Sequence, residues 1–172
     1  GRFRKTGHLA MDSANQQNEA SELVALTVKQ VLDDGNTDTR IVVLKNDDAS
    51  VTLPIWVGSA EGNAIRLAME RVVTPRPMSH DLIRSFADHL GVRIERVVIT
   101  DVKGSTYYAS VAFASKGVHR TLDARPSDAI ALALRADCPI YATQDVLNRR
   151  TAVHLDAWIN KLDTKNIEPQ QA

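Results

Sequence analysis

Apolar residues along the chain fall into short runs with strand-like spacing, separated by polar turns, and into a few stretches with helical spacing. From Glu22 to Leu32 (ELVALTVKQVL) the periodicity fits helix or strand, and the β-branched Val24, Thr27, Val28 and Val31 favour a strand. Asp33-Asp34-Gly35-Asn36 supplies turn chemistry. Arg40 to Lys45 (RIVVLK) and Val51 to Val57 (VTLPIWV) read as two more strands, with Pro54 marking an edge or a bulge. Ser59 is then expected to cap a helix over residues 60–71 with Ala64, Ile65, Leu67, Ala68 and Met69 as its apolar face. In the segment that follows, Arg76 lies between Pro75 and Pro77, which forces extended backbone. Ser79 is expected to cap a helix from His80 to about Leu90, with Leu82, Ile83, Phe86 and Leu90 turned inward and Gly91 beyond its end.

Three strands follow at residues 92–102, 106–114 and 118–123, parted by turns at Lys103-Gly104-Ser105 and Lys116-Gly117. They lead into LDARPSDAIALALR, Leu122 to Arg135. Its helix, almost wholly apolar from Ala129 to Leu134, is expected to be buried on most of its circumference, with Pro126 at the first helical position. A short extended piece (PIYA, 139–142), a final helical turn or two (144–150) and an amphipathic helix over 151–163 with Val153, Ala157, Trp158 and Leu162 as its stripe complete the chain.

An internal repeat emerges. Ala64-Ile65-Arg66-Leu67-Ala68-Met69 and Ala129-Ile130-Ala131-Leu132-Ala133-Leu134 match at an offset of 65 residues (129 against 64), and three strands precede each helix. The expected fold class is α+β: duplicated β-β-β-α units, mainly antiparallel, joined by the helix from His80. The two meanders are expected to combine their apolar faces around paired helices, because one meander alone has too little to bury.

Composition narrows the function. The 172 residues give one domain with a proper core, expected over 22–150 between a polar N-terminal arm and a C-terminal helix with a polar tail at 151–172. GRFRKTGHLA before Met11 reads as a vector remnant, so its basic residues are set aside. Lys+Arg and Asp+Glu both number 21, so nucleic-acid contact must come from a local patch and not from net charge. The single cysteine, Cys138, makes no internal disulfide and is expected to be a buried, inert thiol. No apolar run spans a bilayer, and a cytoplasmic location is expected.

There is no Gly-rich phosphate loop, no HExxH and no GxSxG. Polar residues gather instead at three expected helix starts: Glu61; Arg76 with His80 and Asp81; and Asp123, Arg125, Ser127 and Asp128. Each has a plainer role. Glu61, Asp81 and Asp128 complement a helix dipole, and Arg76 and Arg125 clamp Asp123 or Asp128 as bidentate ion pairs. His80 is harder to explain this way, since histidine gains nothing at a helix N-terminus. His89, His119 and His154 are expected on exposed faces or strand ends, and Tyr107, Tyr108 and Phe113 in core packing or a dimer surface before base stacking.

Taken together, LPIWVGSAEGNAIRLAME, TPRPMSHDLIRS, VVITDVKGSTYYASV and LDARPSDAIALALRADCPIYAT resemble the bifunctional nuclease domain family, from about Glu22 to Arg150. The resemblance implies hydrolysis of RNA and DNA by an α+β domain that assembles as a homodimer or higher homo-oligomer. Departures from the pattern are small: Ser79 stands where threonine is usual, and Gly62-Asn63 replaces alanine-rich text.

Two functions are therefore expected to compete. The first is a nuclease holding Mg²⁺ or Mn²⁺ on Asp123 and Asp128 with help from Glu61 or Asp81, with His80 as general acid or base and Arg76 and Arg125 on phosphate. The second is a non-catalytic homo-oligomeric module that binds a protein or small ligand, its polar corner being a structural ion-pair network. The discriminating observation is whether His80, Asp123 and Asp128 share one open cleft.

Overall fold

A computed structural model describes residues 22–35 and 37–150. The first meander is β1 (Leu23–Asp33), β2 (Thr39–Lys45) and β3 (Thr52–Gly58), followed by α1 (Ser59–Met69) and α2 (Ser79–His89). The second is β4 (Arg93–Lys103), β5 (Thr106–Ser115) and β6 (Val118–Ala124), followed by α3 (Pro126–Ala136), β7 (Ile140–Thr143) and α4 (Gln144–Arg149). The duplicated β-β-β-α order is present. The helix starts are 67 residues apart (126 against 59), two more than the offset of the sequence match, so the repeat is one of element order.

All seven strands form one mixed, mostly antiparallel sheet in the order β3-β2-β1-β7-β4-β5-β6. Four-residue β7 joins the meanders edge to edge, antiparallel to β1 and parallel to β4. Long β1 serves two neighbours: Leu23 to Leu26 pair with β7, and Thr27 to Asp33 pair with β2 across a bulge between Val28 and Gln30. The β5–β6 loop is two residues, Lys116 and Gly117, both at positive φ (51° and 77°), as a hairpin turn matched to strand twist requires.

Helix α3 lies over β4 and β5 and packs on both α1 and α2. Ala129, Ile130, Ala131 and Ala133 are wholly buried there, in one core with Val97, Ile99, Ala109 and Val111. Each larger side chain so buried contributes about 1.5–3 kcal/mol. Small residues set the close approach of the helices. At buried Gly62 a Cβ would lie 2.6 Å from Cβ and Cγ of Arg40 on β2, so α1 is seated on the sheet at a distance only glycine permits.

Three expectations are corrected. The caps of α1 and α2 are Gly58 and Met78, not Ser59 and Ser79, which fall inside the helices. Asp81, at the third position of α2, instead accepts the Met78 N–H on Oδ2 at 2.8 Å. The third correction is the larger: Leu82, Ile83, Phe86 and Leu90 do not face inward but are 53%, 49%, 62% and 69% exposed, and His80 is the buried residue of α2. The helix docks on α3 through its polar first turn and turns its apolar face to solvent. The expected segments at 1–21 and 151–172, with His154, lie outside the described residues.

Candidate active site

Arg125 caps α3 from extended backbone (φ −65°, ψ 144°), which leaves Pro126 as the first helical residue and Asp128 as the third. The Arg125 side chain folds back over this turn. Its Nε donates to Asp128 Oδ2 at 2.8 Å and its Nη2 to Asp128 Oδ1 at 3.1 Å, a bidentate pair. Its Nη1 reaches Glu61 Oε1, at the third position of α1, at 3.2 Å. Asp128 Oδ1 also lies 3.0 Å from Nε2 of His80, in the first turn of α2. One chain of contacts, Glu61–Arg125–Asp128–His80, thus draws the N-termini of three helices together. Their dipoles point positive charge at the corner, and the carboxylates offset it.

Burial pushes the Asp128 carboxyl up, but the Arg125 and His80 hydrogen bonds outweigh it and hold Asp128 below the usual carboxylate range. Asp128 in turn, with Glu61, makes the Arg125 guanidinium hold its charge more firmly. A carboxylate only accepts, so Nε2 of His80 is the donor, and the neutral ring carries its lone pair on Nδ1. Three of the five N–H groups of Arg125 are used, and with its side chain 63% exposed two remain for an incoming anion.

Asp81 follows His80 directly but belongs to a second clamp. Arg135, its side chain only 8% exposed, donates from Nε to Asp81 Oδ1 at 2.8 Å, from Nη1 to the Ala131 carbonyl at 2.9 Å and from Nη2 to the Ala64 carbonyl at 3.1 Å. Burial raises the Asp81 carboxyl, yet the Met78 N–H and the Arg135 guanidinium bring it below its ordinary value. Nothing in the sequence pattern singled out Arg135, the cation that ties α2, α3 and α1 beneath the corner.

Two expected site residues stand apart. Asp123 pairs with Ser110, next to the Ala124–Ala109 pair whose side chains join the core, so strand alternation turns Asp123 to the sheet face opposite α3 and Asp128. Arg76 is exposed in the segment before α2, with no side-chain partner among the described residues. The expected metal ligands therefore do not assemble. Asp123 is on the wrong face, and between Glu61 and Asp128 the charge a cation would supply comes from the Arg125 guanidinium. Among the described residues no group of three or more His, Cys, Asp or Glu fits a metal ion.

Beside the corner lies an open cleft of about 300 Å³ between the end of β3, the β4–β5 turn and the start of α3. Trp56, Tyr107, Arg125 and Ser127 line it, and none of His80, Asp123 and Asp128 does, so the three do not share this cleft.

A two-meander α+β sheet with three helix N-termini on one His–Asp–Arg–Glu corner is the class of domain that fold and site define. The chain belongs to the bifunctional nuclease domain family, whose model matches residues 42–168. The match confirms the family suggested by the sequence passages, although it starts later than Glu22 and runs beyond Arg150. An uncharacterised protein of Mycobacterium tuberculosis (strain H37Rv) is 39% identical over 107 residues, 62% of this chain and 63% of that protein. Bifunctional nuclease 1 of Oryza sativa subsp. japonica is 31% identical over 115 residues, covering 64% of this chain and 33% of the rice protein. Bifunctional nuclease 2 of Arabidopsis thaliana is 30% identical over 107 residues, 60% of this chain and 32% of that protein. The chain thus spans under two thirds of the mycobacterial relative and about a third of the plant ones. No helix among the described residues is long and apolar enough to cross a membrane.

Proposed function

We propose that this chain is a phosphodiester hydrolase acting on RNA and DNA, with its chemistry at the Glu61–Arg125–Asp128–His80 corner. The observation that carries the reading is the His80–Asp128 contact at 3.0 Å, made where three helix N-termini meet in a chain of the bifunctional nuclease domain family. In this reading Asp128 fixes the ring so that Nδ1 of His80 takes the proton of an attacking water. The water oxygen bonds to phosphorus, the bond to the leaving oxygen breaks, and the proton returns to that oxygen. Such a group contributes about 10²–10⁴-fold in rate. The two spare N–H groups of Arg125 meet the charge growing on the phosphate oxygens. No step is routed through a metal, because the donors present do not fit one as they stand. The test is cleavage of end-labelled single-stranded RNA and DNA by the purified chain with Mg²⁺, Mn²⁺ or EDTA. Cleavage of both polymers supports the reading, and survival in EDTA places the chemistry on the side chains alone.

The same geometry favours a second reading. Glu61, Arg125, Asp128 and His80 satisfy one another, as a structural network that staples three helices in a non-catalytic binding module would. Absence of cleavage under all three conditions would put this reading first.

In either case the chain is proposed to self-associate through α2. Leu82, Ile83, Phe86 and Leu90 together expose on the order of 500 Å² of one helix face, a large part of the ~800 Å² that each partner gives to a standard interface. A second copy is the occupant that fits. Arg84 and Asp88 pair with each other on the opposite side of the helix, which leaves the apolar faces of two α2 helices to meet about a two-fold axis.

A further inference from the structure

The cleft beside the corner contains a hydroxyl that makes no bond within the described part of the fold. Ser127, the second residue of α3, is only 6% exposed, and its Oγ has no hydrogen-bond partner among the described residues, yet it lines the cleft. Its oxygen is open to the cleft and so free to bond to a molecule that enters. It stands in the first turn of an eleven-residue helix, where free backbone N–H groups and the positive dipole end favour an anion. The exposed guanidinium of Arg125, with two unused N–H groups, lines the same space and reaches from it to Asp128.

Two aromatic side chains, Trp56 and Tyr107, share the lining with Ile55, Val57 and Pro126. Trp56 is 48% exposed on β3 while its neighbours Ile55 and Val57 are buried, so much of its apolar surface is open to a ligand. Tyr107, the second residue of β5, lies on the other side, and burial pushes its phenol above the ordinary value, so it stays neutral beside an anion. A cavity of about 300 Å³ is at the small end of ligand sites and matches one nucleotide better than a run of them.

We infer that this cleft is a subsite for a single nucleoside phosphate unit, its base stacked on Trp56 and Tyr107 and its phosphate received by Ser127 Oγ and Arg125 at the start of α3. The inference rests on the phosphodiester reading for its place in catalysis: the unit held here would be the neighbour of the scissile bond. Binding itself does not depend on turnover.

The test is calorimetric titration of the full chain with AMP, UMP, ribose 5-phosphate and inorganic phosphate. AMP and UMP are expected to bind at least tenfold tighter than ribose 5-phosphate. Trp56→Ala is expected to lose about tenfold to a hundredfold for the nucleotides alone, the span for removing one base–aromatic stack, and Trp56→Phe to restore most of it. Ser127→Ala is expected to weaken ribose 5-phosphate and nucleotides alike, several-fold. Nucleotides binding no better than ribose 5-phosphate, or equally well to Trp56→Ala with unchanged circular dichroism, would overturn the subsite. The two readings fail separately. Trp56-dependent AMP binding without cleavage of RNA or DNA removes the nuclease and keeps the subsite, whereas cleavage without such binding does the reverse.

Discussion

Nε2 of His80 stands 3.0 Å from Oδ1 of Asp128, a contact that joins the first turns of α2 and α3 across 48 residues of sequence. With the Arg135–Asp81 pair it makes the attachment of α2 polar, and this is why the helix can leave its apolar face uncovered. The stability of that attachment is separable from its chemistry.

Arg135 is the point at which the attachment should break. Arg135→Ala removes the partner of Asp81 and three charge-assisted hydrogen bonds from a side chain that is 8% exposed. The expected cost is about 3 kcal/mol, read as a lower urea midpoint. A change below about 0.5 kcal/mol would mean that the clamp adds nothing.

Acid should destabilise the fold in a defined window. Asp81 and Asp128 are both held below the usual carboxylate range by their cationic partners, so the folded state binds fewer protons than the unfolded chain as pH falls. Their contribution is complete above the unfolded carboxylate value and is lost as pH drops through the lower folded values. The urea midpoint is expected to decline below about pH 4 from this source, and less steeply in Asp81→Asn. A midpoint that rises on acidification over this range contradicts the assignment.

Gly62→Ala isolates the seat of α1 on the sheet. Alanine is the better helix former, yet its Cβ would meet Arg40 at 2.6 Å, and this steric conflict should win. A loss of about 1–3 kcal/mol is expected, seen as a lower thermal midpoint. A stabilised variant would show that β2 yields.

Phe86→Glu tests the exposed face of α2. Phe86 is 62% exposed, so the substitution leaves the fold intact as judged by circular dichroism. The unmodified chain is expected to sediment as a dimer or larger and the variant as a monomer. Identical sedimentation of the two would remove α2 from the interface.

Much of the architecture was legible because it rests on local pattern. The almost wholly apolar run from Ala129 to Leu134 marked the buried helix, Pro126 fixed its first turn, and β-branched runs with polar turns marked both meanders. What was not legible depends on partners. Nothing within Ile140–Thr143 tells that four residues bridge the two meanders, since pairing with β1 and β4 is a property of the whole sheet. The periodicity of α2 gave its apolar face correctly, but which way that face points is decided by His80, Asp81 and the clamp on Arg135. Asp123 looked close to Asp128 because it is five residues away, and a single step of strand alternation carries it to the other side of the sheet. Ser127 stood in the passage that marked the corner, yet only burial distinguishes its hydroxyl from an ordinary helix-start serine.

The most direct test of the central claim is the cleavage rate of Asp128→Asn on end-labelled single-stranded RNA and DNA, beside the unmodified chain purified identically and with folding checked by circular dichroism. Asparagine keeps the shape but loses the charge that orients His80 and holds Arg125. The account predicts cleavage by the unmodified chain and a fall of about 10²-fold or more in the folded variant. Equal cleavage by both would contradict it, leaving Asp128 as a residue that only secures the start of α3.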